Sequence, residues 1–177
     1  MTSPKGYFSF VWPFTSLGVT SGLVSGLTFG FLPFGSWITG LIFGIFIILA
    51  ARIVDISISW KATLLFLSCS SAGFVIATVA SIRLMAWQEI NGPVSSLLGT
   101  IPLALAYSFL FLPCKRFLCV ALTLMMSYIC GMLFVWLTDV SNSLPGMAAF
   151  IPLSFMAWQA MVASIMGIRL GHGVSNA

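Results

Sequence analysis

Charge is what this sequence has least of. Only 6% of its 177 residues are Asp, Glu, Lys or Arg, against about 25% in an ordinary water-soluble domain. A surface so poor in ionised groups cannot be kept in water, so soluble classes are excluded and lipid is the expected solvent. The seven basic and three acidic residues leave a net charge of +4, far too sparse for a nucleic-acid footprint, and no nucleic-acid partner is expected. Histidine occurs once, as His172, and no two carboxylates are adjacent. Neither a G-x-S-x-G elbow nor a phosphate-cradling Gly-rich loop with Lys is present. Not an enzyme is therefore the expectation: no catalytic residue, no cofactor and no metal. The four cysteines, Cys69, Cys114, Cys119 and Cys130, fall in no disulfide or paired-ligand pattern.

What the chain has is apolar length. Hydrophobic residues make up 60% of it and the mean hydropathy is +1.14. A bilayer core about 30 Å thick takes about 20 helical residues, so six or seven spans fill the chain and leave no room for a soluble domain. Ionised side chains are expelled from hydrocarbon, so the gaps between them mark the spans. Uncharged stretches separate Lys61 from Arg83, Glu89 from Lys115, Arg116 from Asp139 and Asp139 from Arg169. The longer stretch from Lys5 to Arg52 is broken by Pro33-Phe34-Gly35-Ser36, a run with turn chemistry, and divides into a helical hairpin. The expected fold is an all-α, polytopic bundle of six transmembrane helices at about 14–32, 36–54, 62–83, 93–112, 117–137 and 145–168.

Six spans put Lys5, Arg52, Lys61, Lys115, Arg116 and Arg169 on one side and Arg83 alone on the other. By the positive-inside rule that side is the cytoplasm and holds both termini. Trp12, Trp60, Trp37, Trp87 and Trp136 fall near helix ends, where indole prefers the headgroup boundary. Trp158 alone falls at mid-span. The first helix has no cleavage pattern after it and is expected to be retained.

The halves echo each other. Pro13-Phe14-Thr15-Ser16-Leu17-Gly18 opens helix one and Pro93-Val94-Ser95-Ser96-Leu97-Leu98-Gly99 opens helix four. Ser81-Ile82-Arg83-Leu84 closes helix three and Gly167-Ile168-Arg169-Leu170 closes helix six. A repeat of three helices has to insert its second copy upside down, giving a 3+3 inverted repeat; chance similarity in a chain rich in Leu and Ser is the alternative.

Gly18, Gly22, Gly26 and Gly30 recur at i, i+4 along helix one, and Gly40 and Gly44 repeat the spacing on helix two. Such a glycine zipper marks close approach of another backbone, either inside the bundle or in a partner membrane subunit or second copy docked through helix one. Helix four carries Gly99, Thr100 and Pro102 near mid-depth, where a kinked and locally opened helix is expected. Gln159, beside Trp158, needs partners in the bilayer interior, and Ser68, Cys69, Ser70, Ser71 and Thr100 are the candidates. Its two readings are structural glue and a neutral-solute site formed by Gln159, Trp158, Thr100, Ser70 and Ser71. Charged residues fall only at boundaries, with Asp139 in the loop after helix five and His172 in the tail, so no proton relay is expected.

Together these features describe a multi-pass inner-membrane protein, either a small-solute transporter or the membrane substrate-binding subunit of an uptake complex. A non-transporting structural or assembly subunit is the competing class. Reporter fusions at residues 1 and 177 are expected to report the cytoplasm at both ends; opposite sides would exclude six spans.

Overall fold

Apolar runs that must satisfy their own backbone groups in lipid form helices, and six are found: α1 (Phe8–Phe29), α2 (Gly35–Ile53), α3 (Trp60–Arg83), α4 (Gln88–Phe111), α5 (Arg116–Asn142) and α6 (Phe150–Ser175). The computed structural model describes residues 8–29, 35–111, 116–142 and 150–175; no strand occurs among them. Gly30, the Pro33-Phe34 turn, Lys115 and the expected start of the sixth helix at Pro145 lie outside the described residues. Four helices, α1 to α4, are long and apolar enough to cross a membrane, while the described apolar stretches of α5 and α6 are shorter, Phe117–Leu133 and Phe155–Ile168.

Several boundaries differ from expectation. Pro13 and Pro93, read as helix openers, are each the sixth residue of their helix. A proline one turn inside removes a single backbone bond, and helix continues around it. Pro102 likewise lies inside α4, which is helical from Gln88 to Phe111. Asp139 belongs to the last turns of α5, and His172 to the end of α6, because neither residue carries a stop signal strong enough to end a helix.

Capping is visible at the α2–α3 connection. The Ile56 N–H donates to the Ala51 carbonyl at 2.9 Å and the Asp55 N–H to the Arg52 carbonyl at 3.0 Å, the pair of bonds that defines a Schellman motif. Asp55 takes the left-handed position at φ 66° that glycine usually fills. Four residues on, Ser59 accepts from the Ala62 N–H and opens α3.

Each helix packs on its neighbours in sequence, and α1 also packs on α6, closing the six into a ring. The α1–α6 seam is the most extensive. Along it Phe10 and Phe14 meet Gly167, Gly18 meets Ala163, and Gly22 meets the Met156 backbone, so the two helices run antiparallel. A methyl group on Gly18 would lie 2.7 Å from the Ala163 Cβ. Gly40 similarly lies against Ser70 and Ser71, Gly73 against Gly99, and Gly92 against Gly131. The expected stripe on helix one is thus taken up by α6 at Gly18 and Gly22; Gly26 is also buried.

Large aliphatic and aromatic side chains face outward. On α2, Trp37, Leu41, Ile45, Leu49 and Ile53 are exposed while Thr39, Gly40, Phe43, Gly44, Ile47 and Ile48 are buried. Inside the ring, Phe43, Phe74 and Trp158 meet at centroid distances of 5.1 to 6.3 Å. Nearer the α2–α3 end, Phe66, Tyr107 and Phe111 form a second cluster, and the Tyr107 hydroxyl donates to the Met166 carbonyl at 2.6 Å. The apolar faces and long helices are those of an integral membrane protein.

Because a left-handed side-chain residue costs about 1–2 kcal/mol, Asp55→Gly is expected to melt no lower than the parent in detergent. Asp55→Val is expected to lose about that amount, read by circular dichroism.

Candidate functional site

Small residues at i, i+3 and i+4 leave room where larger ones would fill it, and on α3 and α4 they do so on facing sides. Gly73, Ala77, Thr78 and Ser81 of α3 and Gly92, Ser95, Ser96 and Gly99 of α4 line a cavity of about 330 Å³ beside the point where the two helices touch at Gly73 and Gly99. Cys130 and Gly131 of α5 and Phe155 and Trp158 of α6 complete its walls, with Phe74 at its inner end. The lining runs from Ser81, Ile82 and Gly92, close to the α3–α4 turn, to Gly73, Gly99 and Trp158 near mid-height. The volume is at the low end of the range for small-molecule sites, about 300–1,000 Å³, and the mixture of apolar walls with a few polar groups is typical of them.

Trp158 is fixed in place. Its Nε1 donates to the Ser96 hydroxyl at 2.9 Å and to that of Ser127 at 3.2 Å. Ser96 donates to the Ser127 carbonyl at 2.8 Å. Thr100 reaches both the Ser96 carbonyl, at 2.8 Å, and the Ser127 hydroxyl, at 2.6 Å. One indole and three hydroxyls therefore tie α4, α5 and α6 together behind the cavity. The Phe74 ring meets the indole edge-to-face, 5.1 Å between centroids, a favoured aromatic geometry.

Gln159 lies elsewhere. Fully buried, its Oε1 accepts from Ser21 at 2.5 Å and its Nε2 donates to Ser25 at 3.1 Å. The expected partners on helices three and four are replaced by hydroxyls of α1, because α6 turns this residue toward the seam while Trp158, one position earlier, faces the ring interior. Ser70 donates to the Gly40 carbonyl at 2.7 Å, joining α2 to α3. Ser71 and Thr39 are buried with hydroxyls that have no partner.

Of the residues first assigned to a solute site, Trp158 lines the cavity, Thr100 supports its wall through Ser96 and Ser127, and Gln159, Ser70 and Ser71 are not among the lining residues. Gly99 is a lining residue where α4 crosses α3; Pro102 is not. Sequence reasoning missed the α3 face and Ser95, Ser96 and Cys130. The signal was present as small or hydroxyl residues at 73, 77, 78 and 81 and again at 92, 95, 96 and 99, outside the regular four-residue spacing that drew attention to helix one.

Among the described residues no charged side chain lines the cavity. Arg83 and Glu89 are exposed beyond it at the α3–α4 end, where the basic residue closes α3 and the acidic one opens α4 in agreement with their helix dipoles. Among the described residues no group of three His, Cys, Asp or Glu is arranged to hold a metal ion. No family model matches the chain, and no curated protein or solved structure shows a significant match to it.

The Gln159 network predicts a measurable coupling. Interhelical polar contacts in membranes average about 0.6 kcal/mol, with a maximum near 1.7. A double-mutant cycle of Ser21→Ala and Gln159→Leu, followed by thermal unfolding, should return a coupling in that range; strictly additive effects would mean that the pair does not interact.

Proposed function

We propose that this protein moves a small uncharged solute across a cell membrane, alone or as the solute-binding subunit of a larger complex. The observation that carries the reading is the cavity of about 330 Å³ between α3, α4, α5 and α6, which is free of charged side chains and ends at mid-height on Phe74 and Trp158. A pocket of this volume, with a few hydroxyls among apolar and aromatic walls, is the setting in which small-molecule sites are found.

Support for a 3+3 inverted repeat comes from matched helix crossings. Gly18 of α1 packs on Gln159 and Ala163 of α6, and Gly99 of α4 packs on Gly73 and Ala77 of α3. Gly73 and Gln159, Ala77 and Ala163, and Arg83 and Arg169 are each 86 positions apart. The same register pairs Thr78 with Ser164, and the shared proline openings pair Ser95 with Thr15. Thr78 of α3 and Ser95 of α4 both line the cavity and each bonds within its own helix, whereas Thr15 and Ser164 are joined by a hydrogen bond of 2.8 Å in the closed α1–α6 seam. One end of the bundle is open at a crossing whose counterpart, toward the other end, is shut. That asymmetry is what an inverted-repeat transporter has in each of its two end states.

On this reading the termini and the α2–α3 turn are cytoplasmic, the cavity opens to the opposite side, and the bilayer is the inner membrane. No chemistry is performed on the solute. Alternation is tested by two cysteine pairs in a background with the native cysteines replaced by alanine: Thr15→Cys with Ser164→Cys, and Thr78→Cys with Ser95→Cys. In cells, both pairs are expected to be trapped as disulfides, each to the exclusion of the other. Trapping of the seam pair alone would identify a static bundle and overturn transport.

A further inference from the structure

The hydroxyls of the cavity have a shared bias. Ser95 donates to Asn91 Oδ1 at 3.0 Å, Thr78 to the Phe74 carbonyl at 2.9 Å, and Ser96 to the Ser127 carbonyl at 2.8 Å. A hydroxyl has one proton and two lone pairs, so all three direct their protons into the protein; Ser95 and Thr78 retain lone pairs, while Ser96 already accepts from the Trp158 N–H. The Trp158 N–H, the remaining side-chain N–H or O–H donor at the inner end, is likewise committed to Ser96 and Ser127. The fourth hydroxyl, Ser81, lies at the rim by the α3–α4 turn. Among the described residues the inner cavity thus presents acceptors and aromatic rings, with no uncommitted side-chain N–H or O–H donor and no charge.

Each feature selects something. An anion entering would lose its water and meet neither cation nor donor, an uncompensated cost of several kcal/mol. A neutral hydrogen-bond acceptor would find its polar atom unanswered. A neutral donor finds the Ser95 oxygen on α4 and the Thr78 oxygen on α3. Shape selects further: Phe74 and Trp158 present rings at the inner end, so the space favours a flat molecule that gains by stacking.

Resting on the transport reading and deepening it, we infer that the solute is a small, planar, uncharged ring compound bearing an N–H or O–H donor, held between Ser95 and Thr78 against Trp158. A solute of this class is poor in charge and rich in ring surface, as the lining itself is.

The test uses indole, its near-isostere benzofuran in which oxygen replaces the N–H, and indole-3-carboxylate, which keeps the N–H but adds an anionic group. Equilibrium dialysis of the full chain in lipid nanodiscs, with empty nanodiscs subtracted, measures binding of each. Indole is expected to bind about 5-fold more tightly than benzofuran, the value of one neutral hydrogen bond, and indole-3-carboxylate to show no binding above empty discs. In Ser95→Ala the indole preference should fall below about 2-fold. Thr78→Trp, or Ser95→Phe should the first variant fail to fold, fills the cavity and should abolish binding of both neutral probes. Equal binding of indole and benzofuran, lost on filling the cavity, would overturn donor selection while leaving a solute site in place. Tighter binding of the carboxylate, or binding indifferent to Thr78→Trp and Ser95→Phe, would overturn the inference outright. Trapping of the seam disulfide alone would remove transport and leave the indole preference standing, so the two readings fail separately.

Discussion

Close approach of helix backbones is the constraint on which this structure depends. Two apolar helices gain little by leaving lipid for each other, since the tails are as apolar as leucine, and association rests on dispersion contact and interhelical hydrogen bonds. Both require small side chains at the crossing. Gly18 and Gly22 provide them at α1–α6, Gly40 at α2–α3, Gly73 with Gly99 at α3–α4, and Gly92 with Gly131 at α4–α5. Where the backbones meet, hydroxyls follow: Thr15 with Ser164, Ser21 and Ser25 with Gln159, Ser70 with the Gly40 carbonyl, and Ser96 with Ser127.

The same economy of volume divides the interior into two halves of different character. Toward the α2–α3 end, Phe66 of α3 meets Tyr107 and Phe111 of α4 edge-on, those two stack on each other, and Tyr107 reaches the α6 backbone. Toward the α3–α4 end the residues at equivalent depth are glycine, alanine, serine and threonine, and space remains. Phe43, Phe74 and Trp158 separate the two, and of these Trp158 alone is held by hydrogen bonds. Any passage between the halves has to displace these rings, and breaking the indole bonds to Ser96 and Ser127 is part of that displacement.

Helix number was legible because charge is excluded from hydrocarbon: Arg52, Lys61, Arg83 and Glu89 all fall at or beside helix ends. Helix starts at Pro13 and Pro93 were misplaced because proline reads as a boundary while tolerating a position one turn inside. Which face of each helix turns inward was harder to see. In water an apolar residue marks the inside; here Leu41 and Ile45 face lipid while Thr39 and Gly40 face protein, so size and hydroxyl content carry the information that hydropathy does not. Gln159 illustrates the limit. Its need for partners followed from burial of an amide, but whether Ser21 and Ser25 or Ser70 and Thr100 would supply them depends on the rotation of α6, which the neighbouring residues of a uniformly apolar helix do not encode.

The α1–α6 seam has a consequence for biosynthesis. Ser21 and Gln159 are 138 positions apart, so α1 leaves the ribosome long before α6 exists. Until then the bundle is an open arc of helices whose two edges expose a glycine groove and bare serine hydroxyls to lipid. Closure of the ring therefore waits until α6 has been made.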